Sequence, residues 1–481
     1  MITPIHRLPF ETLVAIFSFY CSCYKDLPLE LLWVCRLWRA VALDVPPIWS
    51  KVRLCTWTNV EKVAFILART VNSPLHVAID TNADSFLSGP HKSPQYAALW
   101  HVATQGQRWR SLTITSFPPE EFIDSHEVLK ALPIAFSKPL EGLQSLKIEY
   151  PGGISLLPII PFHQNTIINM ELSLCSALHH FMQPQFVTTF HALIRFKVQF
   201  NSISPMVDIL AQFYQLETLE ASGLDLPPYP VEMDLRLVHT LKYMKINRVS
   251  VQWMAGRTFP NLKECEIIEP LNPEMISLGF NVKLPICTVF TYDAQSINTL
   301  TNFYMPILDI LTIRSNVLLE GMWSGQLTAV WSAATGEVAL LKPRILYLDT
   351  RCNEQHLIEA LSMLPELEEL HLGALVYDRL GKMFFTSLQA EETKEGDTQE
   401  VTQKCRLCPS LKTLSIHSSF WADDTPDKIT PLLDQLVKSR QQTDTALSAR
   451  VQDSSARAWA SWPSPLWVPD PAWGSPLHGS P

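Results

Sequence analysis

Glycine is scarce in this chain, 16 residues in 481. Neither G-x-G-x-x-G nor G-x-x-x-x-G-K-[ST] occurs, so no glycine-rich loop is present to wrap a phosphate in backbone N–H groups. The 14 histidines include no H-E-x-x-H. GMWSG at Gly321 to Gly325 sets its serine one place too late for a nucleophile elbow. His179 and His180 are adjacent, and on one strand they would point to opposite faces. The carboxylate pairs Glu368-Glu369 and Glu391-Glu392 read as solvated. Ten cysteines are too few and too scattered for a disulfide scaffold. Cys405 and Cys408 form a C-x-x-C, but no second pair or histidine cluster completes four zinc ligands. The sequence therefore leads us to expect no catalytic residue, no metal and no cofactor.

Positive charge is also in deficit. With 38 Lys and Arg against 47 Asp and Glu the formal charge is −9, which argues against a nucleic-acid partner, because no basic excess exists to displace counterions from phosphates. An uninterrupted apolar run of membrane-spanning length is missing, as is a basic-then-apolar amino terminus. No membrane association is expected, and the expected location is cytoplasmic and/or nuclear. What is abundant is apolar surface. A 47% apolar and 10% aromatic content is ample for a buried core.

The amino-terminal segment reads LPFETLVAIFSFY from Leu8 to Tyr20. Pro9 suits a first helical turn, where its missing N–H is no loss, and Glu11 lies where the helix dipole favours a negative charge. Leu13, Ile16, Phe17 and Tyr20 recur at three- and four-residue steps and make one apolar stripe. After a break at Lys25-Asp26, Pro28 opens a second short helix. A third carries Leu37, Trp38, Val41 and Ala42 and ends before Pro46-Pro47. Three helices of this length bury little surface, so the unit is marginal alone and should lean on something else.

Leu8-Pro9, Glu11, Leu13, Ile16-Phe17, then Val34-Cys35-Arg36, Trp38-Arg39, Ala42, Pro46 and Trp49 resemble the F-box in order and spacing. The pattern is L-P-x-E-x-L-x-x-I-F followed by V-C-R-x-W-R-x-x-A-x-x-x-P-x-x-W, over residues 5–54. One departure is the short, polar CSCYKD between the first two helices. The resemblance implies docking to the Skp adaptor of cullin-RING ubiquitin ligases. It gives Leu8, Pro9, Glu11, Leu13, Ile16, Phe17, Val34, Cys35 and Trp38 to the adaptor-binding surface. Trp49 is expected to pin the exit of the module onto the adjoining part of the chain.

From residue 110 a short phrase recurs, as SLTI, LQSLKI, LETLEA, LKYMKI, LEELHL and LKTLSI among others. Aligned as L-x-x-L-x-[LI], its central anchors are Leu112, Leu146, Met170, Phe196, Leu219, Met244, Cys265, Val289, Leu311, Leu346, Leu370 and Leu414. Most steps fall in the range of about 20–29 residues typical of leucine-rich repeats, each a strand plus a return segment. Longer steps hold insertions: helical segments within 117–140 and 316–340, and an acidic stretch, 389–404, that reads as a mobile loop. PMVDILAQFYQ and NEQHLIEALSMLPE show helical spacing. The expected fold is α/β, a short three-helix F-box followed by an irregular leucine-rich-repeat-like solenoid, with a curved parallel sheet and outer helices over residues 55–438. Residues 439–481, with Trp459, Trp462, Trp467 and Trp473 amid prolines and serines, read as a disordered tail.

Residues between the anchors alternate to the other face of the sheet. They include Lys147, Lys197, Tyr243, Lys245, Glu264, Glu266, Phe290, Thr312, Tyr347, Glu369, His371 and Ser415. From this row Tyr243, Lys245, Glu264, Phe290, Tyr347, Glu369 and His371 are candidates for binding a protein target. The whole resembles the F-box proteins with leucine-rich-repeat-like regions common in fungi. It implies a non-catalytic substrate receptor of a Skp-cullin-F-box ubiquitin ligase. The alternative is an F-box scaffold that binds Skp without cullin, and an enzyme hidden in the solenoid is a third, weaker option.

Overall fold

The computed structural model describes residues 8–23, 28–55, 58–80, 94–115, 140–150, 166–174, 192–200, 213–223, 236–247, 252–268, 282–293, 303–315, 342–350, 354–373, 376, 380–394, 401–405, 407–418, 426–441 and 447–453. The chain forms two units. One holds residues 1–204, 208–216 and 464–481, the other 205–207 and 217–463.

The first unit begins with helix α1, Phe10–Cys23. Its first turn closes with Leu13 N donating to Pro9 O at 3.1 Å, so proline sits where no helical N–H is needed. Leu13, Phe17 and Cys21, four residues apart, are buried. Helices α2, Leu31–Val34, and α3, Arg36–Asp44, are separated by Cys35 alone, whose extended backbone breaks the helix. The Cys35 thiol accepts from Trp38 N at 3.4 Å and caps α3. Phe17 meets Trp38 edge-on at 4.9 Å. A 3₁₀ turn, Pro46–Trp49, ends the helical part. Trp49 is fully buried, donates from Nε1 to Ala42 O at 2.7 Å, and meets Phe65 edge-on at 5.6 Å.

The chain then enters a sheet. Strands β1 (Lys51–Leu54), β2 (Leu75–Asp80), β3 (Trp109–Thr115), β4 (Ser145–Tyr150), β5 (Asn169–Leu174) and β6 (Arg195–Phe200) follow one another in space as in sequence, all parallel. Helices α4 (Val60–Thr70) and α5 (Pro94–Ala103) cross between the first three. The ladder aligns Val52, Val77, Leu112, Leu146, Met170 and Phe196, and every member of that row is buried. Trp109 repeats the Trp49 device, since its Nε1 donates to Val102 O seven residues back.

In the second unit the main sheet runs β7 (Thr218–Ser222), β8 (Tyr243–Asn247), β9 (Glu264–Ile268), β11 (Val289–Asp293), β13 (Ile310–Ser315), β14 (Ile345–Thr350), β15 (Glu369–Leu372), β18 (Thr413–Ser418) and β19 (Ser448–Asp453). It too is parallel between all neighbours. Two-residue strands β10 (Val282–Lys283) and β12 (Phe303–Tyr304) form a small parallel pair beside it in sequence. Helices α6 (Glu354–Ser362), α7 (Lys382–Leu388) and α8 (Pro426–Arg440) connect the last strands. Strand and return segment, repeated with in-register parallel pairing, is a repeat solenoid.

Several expectations need correction. The module expected to end at residue 54 hands its last four residues to the sheet as β1, because Val52 and Leu54 alternate inward. The repeat runs past 438, since β19 pairs with β18 through Asp453. The stretch expected as a mobile loop forms an antiparallel hairpin, β16 (Ala390–Lys394) with β17 (Val401–Cys405). In β11 the anchor is Phe290, which aligns with Cys265 and Leu311 and is fully buried. Val289 lies on the opposite row. NEQHLIEALSMLPE contains α6. The helical insertions expected within 117–140, apart from Leu140, and within 316–340, residues 205–212, His179-His180, the GMWSG segment and the four tail tryptophans lie outside the described residues.

Helix α7 is started by a side chain from another helix. Its N-cap, Gly381, has no side chain to offer. Glu354 Oε1 in α6 accepts instead from Gly381 N at 2.9 Å and Phe384 N at 2.6 Å. Glu354→Ala is expected to destabilise by about 1–2 kcal/mol, the range of a lost cap, and Glu354→Gln by less. Denaturant titration of both variants checks the order.

Candidate interaction site

The structure builds two surfaces from the residues singled out by sequence, one on the helices of the first unit and one on the outward row of each sheet. On the helices the candidate residues divide by burial. Leu13 and Phe17 are core, and Leu8, Cys35 and Trp38 are half-buried. Pro9, Glu11, Ile16 and Val34 are exposed. Trp38 Nε1 is buried with no hydrogen-bond partner among the described residues. Phe10, Phe19, Trp33 and Leu37 are exposed too, although sequence reasoning did not select them. Their signal was phase: Phe19 falls away from the Leu13, Phe17, Cys21 stripe, so the core cannot use it. Lys51 Nζ donates to Cys21 O at 2.6 Å and closes the end of α1.

On the sheets, the position after each anchor faces outward. In the first unit that row reads Arg53, Ala78, Thr113, Lys147, Glu171, Lys197. Glu171 is buried between two lysines, 3.3 Å from Lys147 Nζ and 3.4 Å from Lys197 Nζ. Lys147 also reaches Glu149 at 2.6 Å. Burial works against the Lys147 charge, but the hydrogen bond and field of Glu149, with those of Glu171, raise its pKa overall.

In the second unit the corresponding row reads Glu220, Lys245, Glu266, Thr291, Thr312, Tyr347, His371 and Ser415. Tyr243, Glu264 and Glu369 stand on the parallel row two residues before. Lys245 pairs with Glu266 at 2.8 Å. Tyr243 is held well above the usual phenol range, first by burial, then by Glu266, Glu220 and Glu264. Glu264 and His371 face outward yet are largely covered. The His371 ring stacks on Tyr347 at 4.3 Å and 14°, and its Nε2 lies 3.3 Å from Glu369 Oε2. Burial and Glu369 together raise the Tyr347 phenol. The structure therefore brings Tyr347, Glu369 and His371 into one cluster and Tyr243, Lys245 and Glu264 into another. Phe290 belongs to neither, being core.

Burial pushes the Cys21 thiol up to about 11 and those of Cys287 and Cys408 up to about 12, and it takes Cys265 well above its ordinary value. These four stay protonated near neutral pH and are poor nucleophiles. Among the described residues no group of three or more His, Cys, Asp or Glu is placed to hold a metal. No helix there is long and apolar enough to cross a membrane. The helices carry exposed apolar side chains, and the sheet rows carry paired charges.

No protein-family model matches the chain. No curated protein matches it either. Among solved structures it is similar to one described as the crystal structure of Rad7 and Elc1 complex in yeast, at 13% identity over 92% of each chain, with a TM-score of 0.35.

Proposed function

We propose that this protein is a substrate-receptor subunit of a Skp-cullin-F-box type ubiquitin ligase. Its helices dock the Skp adaptor, and the outward face of its repeat sheet recruits a protein target. The observation that carries this reading is the concentration of exposed apolar side chains on α1 to α3. Six of the thirteen large apolar residues exposed among the described residues lie between Phe10 and Leu37. Soluble surfaces rarely gather apolar groups without a partner to cover them, and the order of residues around them resembles the F-box. The protein supplies no catalytic group. It raises the effective concentration of a target beside a ubiquitin-loaded enzyme, so that transfer becomes quasi-intramolecular. Tyr243, Lys245 and Glu264, with Tyr347, Glu369 and His371, are the residues proposed to meet the target. The setting for this role is the cytoplasm and/or nucleus.

Replacing Leu8 and Pro9 together by alanine is expected to abolish adaptor capture while the repeats keep their fold, because the sheets carry their own core. Copurification of wild type with adaptor and cullin supports the receptor role. Adaptor without cullin indicates a scaffold instead. Wild-type capture by the double variant would remove the basis of the docking reading.

A further inference from the structure

We propose that residues 454–463, SSARAWASWP, are an internal ligand of the outward face of the second unit. They cross it from β18 to β14, with Trp459 over Ser415 and His417 and Trp462 over Tyr347. The segment lies outside the described residues, and the case for it starts from how that face is covered. At the end of a repeat sheet the last strands have the fewest neighbours, so their outward side chains should be the most open. The opposite holds. His371 is 8% exposed, His417 4% and Ser415 0%, while Lys197, in the outward row at the end of the first unit's sheet, keeps 50% of its side chain in solvent. Neighbours on the sheet account for part of this. Tyr347 stacks on His371. The Asp349 carboxylate fills the space that a Gly373 side chain would take, beside His417 in register. Such neighbours shield the flanks of an imidazole, whereas exposures this low need its outer edge covered as well.

The segment that follows β19 fits that cover in place, spacing and charge. Strand β19 runs parallel beside β18 and ends at Asp453, opposite Ser418, so the chain leaves the sheet one strand from the covered patch. Residues as far as 463 belong to the second unit, and those from 464 onward to the first. At about 3.1 Å per residue in an extended chain, the six steps from Asp453 to Trp459 reach roughly 19 Å. Passing over one strand and back along three residues needs less than that. In a polyproline-type chain, positions three apart share a side and stand about 9 Å from each other. Strands β18 and β14 are two strand spacings apart, about 9.5 Å. Trp459 and Trp462 are three apart, with the small Ala460 and Ser461 between them. Arg457 is the segment's one charge, and the face it would cross carries Glu369 and Asp349. Aromatic-lined faces are a common seat for chains of this kind. Because Tyr347 and His371 are also proposed to meet a protein target, such a target would have to displace the segment.

The test is carbethoxylation of the full-length chain by diethyl pyrocarbonate, read histidine by histidine in a mass spectrometer. Wild type is expected to protect His371 and His417 and to label His101 and His239, which are exposed. Replacing Trp459 and Trp462 together by alanine should speed labelling of His371 and His417 by about tenfold or more, the gain expected when a covered group opens locally. His101 and His239 should keep their wild-type rates, and an unchanged melting curve would separate uncovering from unfolding. Equal rates in wild type and the double variant would show that the segment covers nothing. If Trp421→Ala speeds the two histidines and the double variant does not, the cover is the connection from β18 to α8 and the assignment is overturned. Rapid labelling of both histidines in wild type would mean an open face and overturn it too. Neither adaptor nor target enters the experiment, so its failure leaves the proposed receptor role untouched.

Discussion

Trp49→Ala should be among the most damaging single substitutions in the protein, with a loss of roughly 3–5 kcal/mol. Trp49 has no exposed surface, so truncation opens a cavity the size of an indole between the helical module and α4. It also leaves the Ala42 carbonyl without the donor it now has at 2.7 Å, and an unsatisfied buried acceptor costs about 1–3 kcal/mol when it cannot relax. Against a total stability of roughly 5–15 kcal/mol for a typical domain, this is enough to melt the region at physiological temperature. Trp38→Ala is expected to do less to the fold. That ring is only half-buried, and its indole N–H has no hydrogen bond to lose among the described residues. Thermal unfolding of the two variants followed by circular dichroism should show the larger shift for Trp49. A larger shift for Trp38 would mean that the packing around Trp49 is not what holds the helices to the sheet.

Arg440→Ala is the second large expectation. The guanidinium is fully buried at the last turn of α8. It donates to four backbone carbonyls: Leu388 at 2.9 Å, Leu407 at 2.8 Å, Cys408 at 3.0 Å and Leu411 at 3.5 Å. Those carbonyls belong to the last residue of α7 and to the turn before β18, so one side chain ties both to the end of α8. Cys408 stands in the left-handed region with φ 46°, a conformation that costs a non-glycine residue and needs surrounding contacts to persist. Alanine removes all four donated bonds at once, with an expected loss on the order of 3–5 kcal/mol. Lysine should rescue little, since an ammonium cannot span four acceptors with a planar fork. Urea titration of the two variants measures the loss. A change below about 1 kcal/mol in Arg440→Ala would show that water can take the place of the guanidinium.

The repeat was legible where its anchors were large and flanked by polar residues. Leu146, Met244, Leu370 and Leu414 fall at the buried register positions of their strands. It was misread in β11 because Val289 is itself apolar, although Thr291 and Asp293 on its row are not. Val289 fits the motif spacing, but Phe290 and Tyr292 carry more surface, and burying both rings decides the phase. Strands β1 and β2 escaped because Trp49 and Pro74 stand where the phrase has its leading leucine, although Val52, Leu54, Val77 and Ile79 alternate correctly. Strand β19 escaped because SARVQD offers only an alanine and a valine among polar letters. The helical docking residues were legible as a pattern of types. Which of them point outward was not, because burial depends on how α1, α2 and α3 cross, and adjacent letters such as Phe17 and Ser18 carry no record of that.

In each main sheet every strand pairs with the strands that precede and succeed it there. What a strand needs in order to find its place is therefore written within itself and its two neighbours, not in the length of chain that separates them. The hairpin β16–β17 illustrates the freedom this leaves. It lies in the sequence between α7 and β18, yet Leu370 still meets Leu414 and His371 still meets Ser415 in unbroken register. Such a chain can have its connecting segments lengthened, trimmed or exchanged one at a time while the strands keep their partners, so changes confined to the connections are expected to leave the scaffold in place.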